Sequence, residues 1–171
     1  ITLLSMLPIV MMGLRHGAKW GAGTAFIYSL IQFVLGISNL AYCATLGAQI
    51  GCVLLDYLLA FTVLGLADVF SKPFKSRAAG VSVGTAVVCL LRFVCSFLSG
   101  YIVWKDYDYA VEWLTNFEWG ANFINTMGQD ALCWFYSFVY NLSYMLPETI
   151  LTVIGALILY KAMPKLFSRQ A

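Results

Sequence analysis

Apolar residues run through this chain in five long stretches, separated by short polar connections. The stretches cover residues 1–14, 20–37, 48–70, 78–104 and 131–163, here called segments A to E. None shows the strict alternation of polar and apolar positions that a transmembrane barrel strand requires. Continuous apolar runs of this kind become helices in lipid, because a helix satisfies its own backbone donors and acceptors where no water is available. The pattern predicts an all-α, multi-pass transmembrane helix bundle with five spans. Segment A, interrupted by Pro8, falls short of the ~20 residues that cross a bilayer. It is expected to be a partial span or the end of a longer one.

Composition strengthens this picture. Hydrophobic residues make up 61% of the chain and charged residues 11%, with a mean hydropathy of +0.83. Soluble domains average about 45–50% apolar and about 25% charged, so lipid rather than a buried core must cover much of this surface. The net charge of +2 is too small to suggest a nucleic-acid partner. The five cysteines form no CxxC pair and His16 is the only histidine, which gives a zinc or iron–sulfur site no support. The cysteines are expected to be small buried hydrophobes.

The charges carry an orientation. Eight of the ten Lys and Arg residues lie at Arg15/Lys19, at Lys72/Lys75/Arg77 and at Lys161/Lys165/Arg169. The B–C connection is uncharged, and the D–E connection sets Asp106, Asp108, Glu112, Glu118 and Asp130 against Lys105 alone. Basic loops remain in the cytoplasm, so the A–B loop, the C–D loop and the C-terminal tail are expected there, with residue 1 outside. The chain begins at Ile1 without methionine. A first helix is therefore expected upstream, giving six spans in the intact protein and a single membrane-embedded domain over 1–171. The long D–E connection is rich in aromatic residues. It is expected to lie on the outer membrane surface with its rings in the interfacial belt, the alternative being a cap on an outward-facing cavity.

Ionisable groups inside spans are costly and mark function by default. Asp56 lies about eight residues into segment C, roughly 12 Å deep at ~1.5 Å per residue. Arg92 is in mid-segment D, and Glu148 follows Pro147 in segment E. For Arg92 the structural expectation is an ion pair with an acid such as Glu148. Glu148 reads equally as such a partner or as part of a site, and Asp56 as a site. Tyr140, Tyr144 and Glu148 are spaced by four and share a helix face, with Tyr136 one turn nearer the outside and Asn141 alongside. Gly80 and Gly84 have the spacing that lets membrane helices approach closely. A carboxylate at Asp56 would hold a cation, Trp104 and a tyrosine would stack on a flat ring with about 0.5–2 kcal/mol of cation–π attraction each, and Asn141 would read the ring's donors and acceptors. Acid–base, nucleophile-elbow, zincin and Walker A motifs are all missing, so an enzyme is not expected. Any ATP must be hydrolysed by another subunit.

Four strings carry a resemblance: Gly13-Leu-Arg15-His-Gly-Ala-Lys19-Trp-Gly, Leu54-Leu-Asp56-Tyr57-Leu-Leu-Ala-Phe, Arg92-Phe-Val-Cys-Ser96-Phe-Leu-Ser-Gly100-Tyr-Ile-Val-Trp104 and Tyr136-Ser-Phe-Val-Tyr-Asn141-Leu-Ser-Tyr-Met-Leu-Pro147-Glu148. In this order they resemble the ThiT/YuaJ family, the thiamine-specific substrate-binding (S) components of bacterial energy-coupling factor (ECF) transporters. The resemblance implies a high-affinity, outward-facing vitamin pocket in the bacterial cell membrane, without a cofactor. The partners it implies are a transmembrane coupling subunit and ATPase subunits. It maps the family's acid and adjacent tyrosine onto Asp56 and Tyr57, its stacking tryptophan onto Trp104, and its last-helix tyrosine and asparagine onto Tyr136 and Asn141. Ser96 stands where members carry His, and some members carry Glu at the position of Asp56. The D–E connection is also longer than the family pattern. The candidate binding residues are thus Asp56, Tyr57, Ser96, Trp104, Tyr136, Asn141 and Glu148. The ligand expected is thiamine or a related heterocycle such as a thiamine precursor. The rival class is a scaffold subunit without ligand, in which Arg92, Asp56 and Glu148 pair with one another and no cavity lies beside Asp56.

Overall fold

A computed structural model describes residues 4–167. Among them every regular element is helical. Helix α1 is Leu7–His16, with Pro8 in its first turn, where a missing N–H costs nothing because that donor has no intrahelical partner. Gly17, at φ 85°, turns the chain directly into α2, Ala18–Leu35, a backbone conformation that glycine adopts without strain. After a 3₁₀ turn at Ile37–Tyr42 comes α3, Leu46–Ser71, capped by Thr45, whose hydroxyl accepts from the Ala48 amide. Ser76 caps α4, Arg77–Ile102, in the same way. Two short helices follow, α5 (Tyr107–Thr115) and α6 (Gly120–Thr126). The long α7, Gln129–Ala162, and a 3₁₀ turn at Pro164–Phe167 complete the described chain.

Helices α3, α4 and α7 are each long and apolar enough to cross a membrane, at 26, 26 and 34 residues. Of the five predicted spans, α2 has 18 residues and α1 has 10. At ~1.5 Å per residue α1 covers only about 15 Å, half a bilayer core. Large apolar side chains face outward, among them Trp20 (71% exposed), Leu35 (73%) and Ile158 (59%). Outward apolar surface on this scale is what lipid solvates. The chain is an all-α membrane helix bundle.

The bundle is held where helices lack side chains. Gly13 of α1, Gly21 of α2 and Gly65 of α3 meet at one crossing. A Cβ on Gly65 would run into the Gly21 carbonyl and come within 2.6 Å of the Ala22 nitrogen, and one on Gly13 would strike the Gly65 carbonyl. Small residues allow such backbone contact, and in lipid, where apolar burial between helices gains little, this packing drives association. Gly80 and Gly84 do the same for α4, resting against Ser71 and Ala67 of α3.

At the basic end, Arg77 ties several elements together. Its guanidinium donates to the Leu14 carbonyl (2.7 Å), the Ser71 hydroxyl (3.1 Å) and the Phe167 carbonyl (3.2 Å), and it pairs with Asp68 at 3.8 Å. Asp68, 3% exposed, also meets Lys72. Of the predicted basic tail, Arg169 lies outside the described residues. All five cysteines are unpaired, and four of them are buried.

Replacing Gly65 by Val should disrupt the triple crossing and cost about 1–3 kcal/mol or more, as overpacking does. A clear drop in melting temperature of the detergent-solubilised protein, followed by tryptophan fluorescence, is the expected outcome. Gly23→Ala serves as control, since nothing lies within 4 Å of a Cβ there.

Candidate functional site

At the end of the bundle remote from Arg77, a cavity of about 790 Å³ opens between α2, the Ile37–Tyr42 turn, α3, α4, α5 and α7. Its size lies within the ~300–1,000 Å³ typical of small-molecule sites. Six of the seven predicted residues line it: Asp56, Tyr57, Ser96, Trp104, Tyr136 and Asn141. Glu148 is not among the lining residues. It is buried beside α1, where its carboxylate accepts a hydrogen bond from the Ser5 hydroxyl at 2.5 Å.

Asp56 sits in a π-helical turn, Val53–Leu59, within α3. In a regular α-helix, residues five apart diverge by about 140°. The wider π turn, with i→i+5 bonding, brings them toward one face. Asp56, Tyr57 and Phe61 therefore all reach the same cavity. The Trp104 indole donates to Asp56 Oδ2 at 2.8 Å, and the carboxylate lines the cavity. Asp56 forms no ion pair with Arg92 among the described residues.

Tyr57 fixes the neighbouring turn. Its hydroxyl donates to the Gly36 carbonyl (3.1 Å) and accepts from the Asn39 amide (2.9 Å), and its ring packs edge-on against Phe33. This contact holds Asn39 and Tyr42, both lining residues, over the cavity. Neither they nor Gln32 of α2 gave a signal in sequence, because single polar residues near a helix end are ordinary there.

Helices α4 and α7 form the opposite wall. Gly100 lets them touch, since a Cβ there would collide with the Ser137 hydroxyl. Ser137 Oγ donates to the Phe97 carbonyl at 2.7 Å. The Asn141 amide nitrogen donates to the Ser137 carbonyl (2.8 Å) and the Ser96 carbonyl (3.4 Å), while its oxygen accepts from the Tyr144 hydroxyl (2.7 Å). Both amide hydrogens are thus committed within the protein, and the oxygen keeps one lone pair. Asn141 is set to accept from a ligand, a narrower role than reading both donors and acceptors.

For the segment between α4 and α7 the sequence offered two placements, the outer membrane surface and a cap on the cavity. In the structure α5 buries Ala110 and Leu114, and its Trp113 packs edge-on against Tyr136 and Tyr140 of α7. Tyr109 and Asp106 line the cavity itself, so this part of the segment forms a wall of the site. Lys105 donates to Asp130 and to the Tyr101 hydroxyl. The Asp130 hydrogen bond, and then that of Tyr101, raises the Lys105 ammonium above the ordinary lysine value.

A polar, ring-lined cavity at one end of a membrane helix bundle is the architecture of a small-molecule membrane transport protein. The sequence shows which one: the profile of the thiamine transporter protein family (Thia_YuaJ) matches residues 1–168, and the chain belongs to this family. The family is one of transporters, not enzymes. Thiamine transporter ThiT of Bacillus subtilis (strain 168) is similar, at 27% identity over 165 residues, covering 95% of this chain and 76% of the relative.

Tyr57→Phe removes the hydroxyl that bridges Gly36 and Asn39, at a cost of about 0.5–1.5 kcal/mol. Faster hydrogen–deuterium exchange confined to residues 36–42 is the expected result. An unchanged exchange pattern there would show that other contacts hold the turn.

Proposed function

We propose that this protein is the membrane-embedded, high-affinity thiamine-binding S component of an ATP-driven ECF importer. It takes its ligand from outside a bacterial cell, with the C-terminus in the cytoplasm. A coupling subunit in the membrane and ATPase subunits supply the drive, since no nucleotide motif is present here. Family membership supports the ligand class. The single observation that carries the reading is Asp56, a carboxylate within the bundle that accepts from Trp104 and lines the cavity.

The chemistry suits thiamine. A thiazolium cation would neutralise Asp56, which gains from Coulomb attraction in surroundings poor in water. The indole of Trp104 and the rings of Tyr136 and Tyr140 offer faces for cation–π contact and stacking. The free lone pair of Asn141 would accept from an exocyclic amine on a pyrimidine. A second ligand within the same class, a thiamine precursor, is favoured by one feature: Ser96 lines the cavity where family members carry an imidazole.

Titration of the full-length protein with thiamine, followed by quenching of intrinsic tryptophan fluorescence, tests the reading. Quenching at micromolar or lower thiamine is expected. Asp56→Asn keeps an acceptor for Trp104 but removes the charge, and should weaken binding about 100-fold, the scale of breaking a buried charge pair. If the Asn variant binds as well as the parent, Asp56 does not hold the cation. Ser96→His with thiamine and hydroxymethylpyrimidine compared side by side separates the two ligands.

A further inference from the structure

Cys43 and Cys52 stand beside the cavity, and the ligand chemistry above leaves them idle. Cys43 follows directly on the Ile37–Tyr42 turn, and Cys52 is the residue just before the π turn of α3. Both are buried, at 7% and 0% exposure. They form one small cluster with Tyr57, against which Phe33, Leu40 and Trp104 pack. Within it the two thiols interact with each other. Cys43 also donates to the Asn39 carbonyl at 3.8 Å, and Cys52 also interacts with the Asp56 carboxylate.

A buried cysteine is ordinarily an inert small hydrophobe. Cys89 and Cys95 on α4 and Cys133 on α7 fit that description. Two thiols that already meet are a different case. Side-chain rotation brings such sulfurs toward the ~2.0 Å of a disulfide. Compartment then decides whether the bond persists, because it survives in oxidising surroundings outside the cytoplasm. Cys43 and Cys52 belong to the end of the bundle remote from the basic loops, which is the outer end in the orientation proposed above.

We propose that Cys43 and Cys52 form a reversible disulfide on the outer side of the membrane, a cross-link that fixes the turn carrying Asn39 and Tyr42 to α3 beside Asp56. This rests on the outward orientation of that end. The oxidant is an external disulfide. Cys43, in irregular chain between the turn and α3, is reached first when that segment opens locally. Its thiolate attacks one sulfur of the external disulfide and expels the other as a thiolate. The Cys52 thiolate then attacks the Cys43 sulfur of the mixed disulfide and expels the second. Two protein S–H bonds and the external S–S bond are replaced by one protein S–S bond and two released thiols, which take both protons.

The test uses the full-length protein in bacterial cells quenched with acid before lysis. Thiols are alkylated in denaturant and counted by intact mass, with and without prior reduction. Reduction should raise the count by two, and peptide mapping should find Cys43 joined to Cys52. Purified, reduced protein treated with oxidised glutathione should form the same link, and amide exchange over residues 36–46 should then slow about tenfold or more. Cys52→Ala should abolish both effects of the oxidant; if it does not fold, Cys43→Ala takes its place. No link after oxidised glutathione, or one to Cys89, Cys95 or Cys133, overturns the inference and leaves the orientation and the thiamine reading untouched. A link that forms in vitro but not in the quenched cells overturns the disulfide in the cell and counts against the outward placement. Unchanged exchange in the linked protein overturns the restraint on the turn.

Discussion

A carboxylate within a helix bundle in lipid must be paired, wetted or bound, because the bare charge is too costly in a medium of low dielectric. Asp56 is the residue on which that constraint falls. One of its oxygens accepts from the Trp104 indole, and the carboxylate lines the cavity. The surrounding structure follows from holding that group beside open space. The π turn of α3 aims it inward together with Tyr57 and Phe61, and Tyr57 in turn anchors the Ile37–Tyr42 turn beside the site. The opening is made of the same chain that carries the charge.

The opposite wall is built on a different principle. Gly100 removes a side chain so that α4 and α7 come into contact at Ser137. That closeness lets one asparagine reach carbonyls on both helices. With its amide hydrogens committed, Asn141 has a defined orientation, which an asparagine facing only water would lack. The aromatic ladder of Tyr136, Tyr140 and Tyr144 continues past it and is braced from behind by Trp113. Rigid rings and a pinned amide preorganise a site, which lowers the ordering cost of binding.

The two ends of the molecule divide the work. The basic end is tied by Arg77, whose donors collect the ends of α1 and α3 and the final turn. The triple glycine crossing locks α1, α2 and α3 near the same end. The acidic end carries the cavity.

Much of this was legible in the order of residues. Helix positions followed from apolar run lengths, since lipid permits few alternatives to a helix, and the five segments agree with α1, α2, α3, α4 and α7. Asp56 stood out as an ionisable group inside a span, and Tyr57, Ser96, Trp104, Tyr136 and Asn141 joined it through the polar and aromatic stripes and the family resemblance. Other decisions needed three dimensions. Glu148 and Arg92 looked like partners, yet Ser5, far away in the chain, took the acid and left the arginine facing the cavity. For stretch 106–130 the sequence left membrane surface and cavity cap both open, because helices of nine and seven residues carry no periodicity strong enough to show which face is buried. The π turn left no mark in composition at all. A linear pattern reports how each segment meets its solvent. Which side chains meet each other depends on the crossing of helices and the phase of each turn, and those are set only when the segments pack.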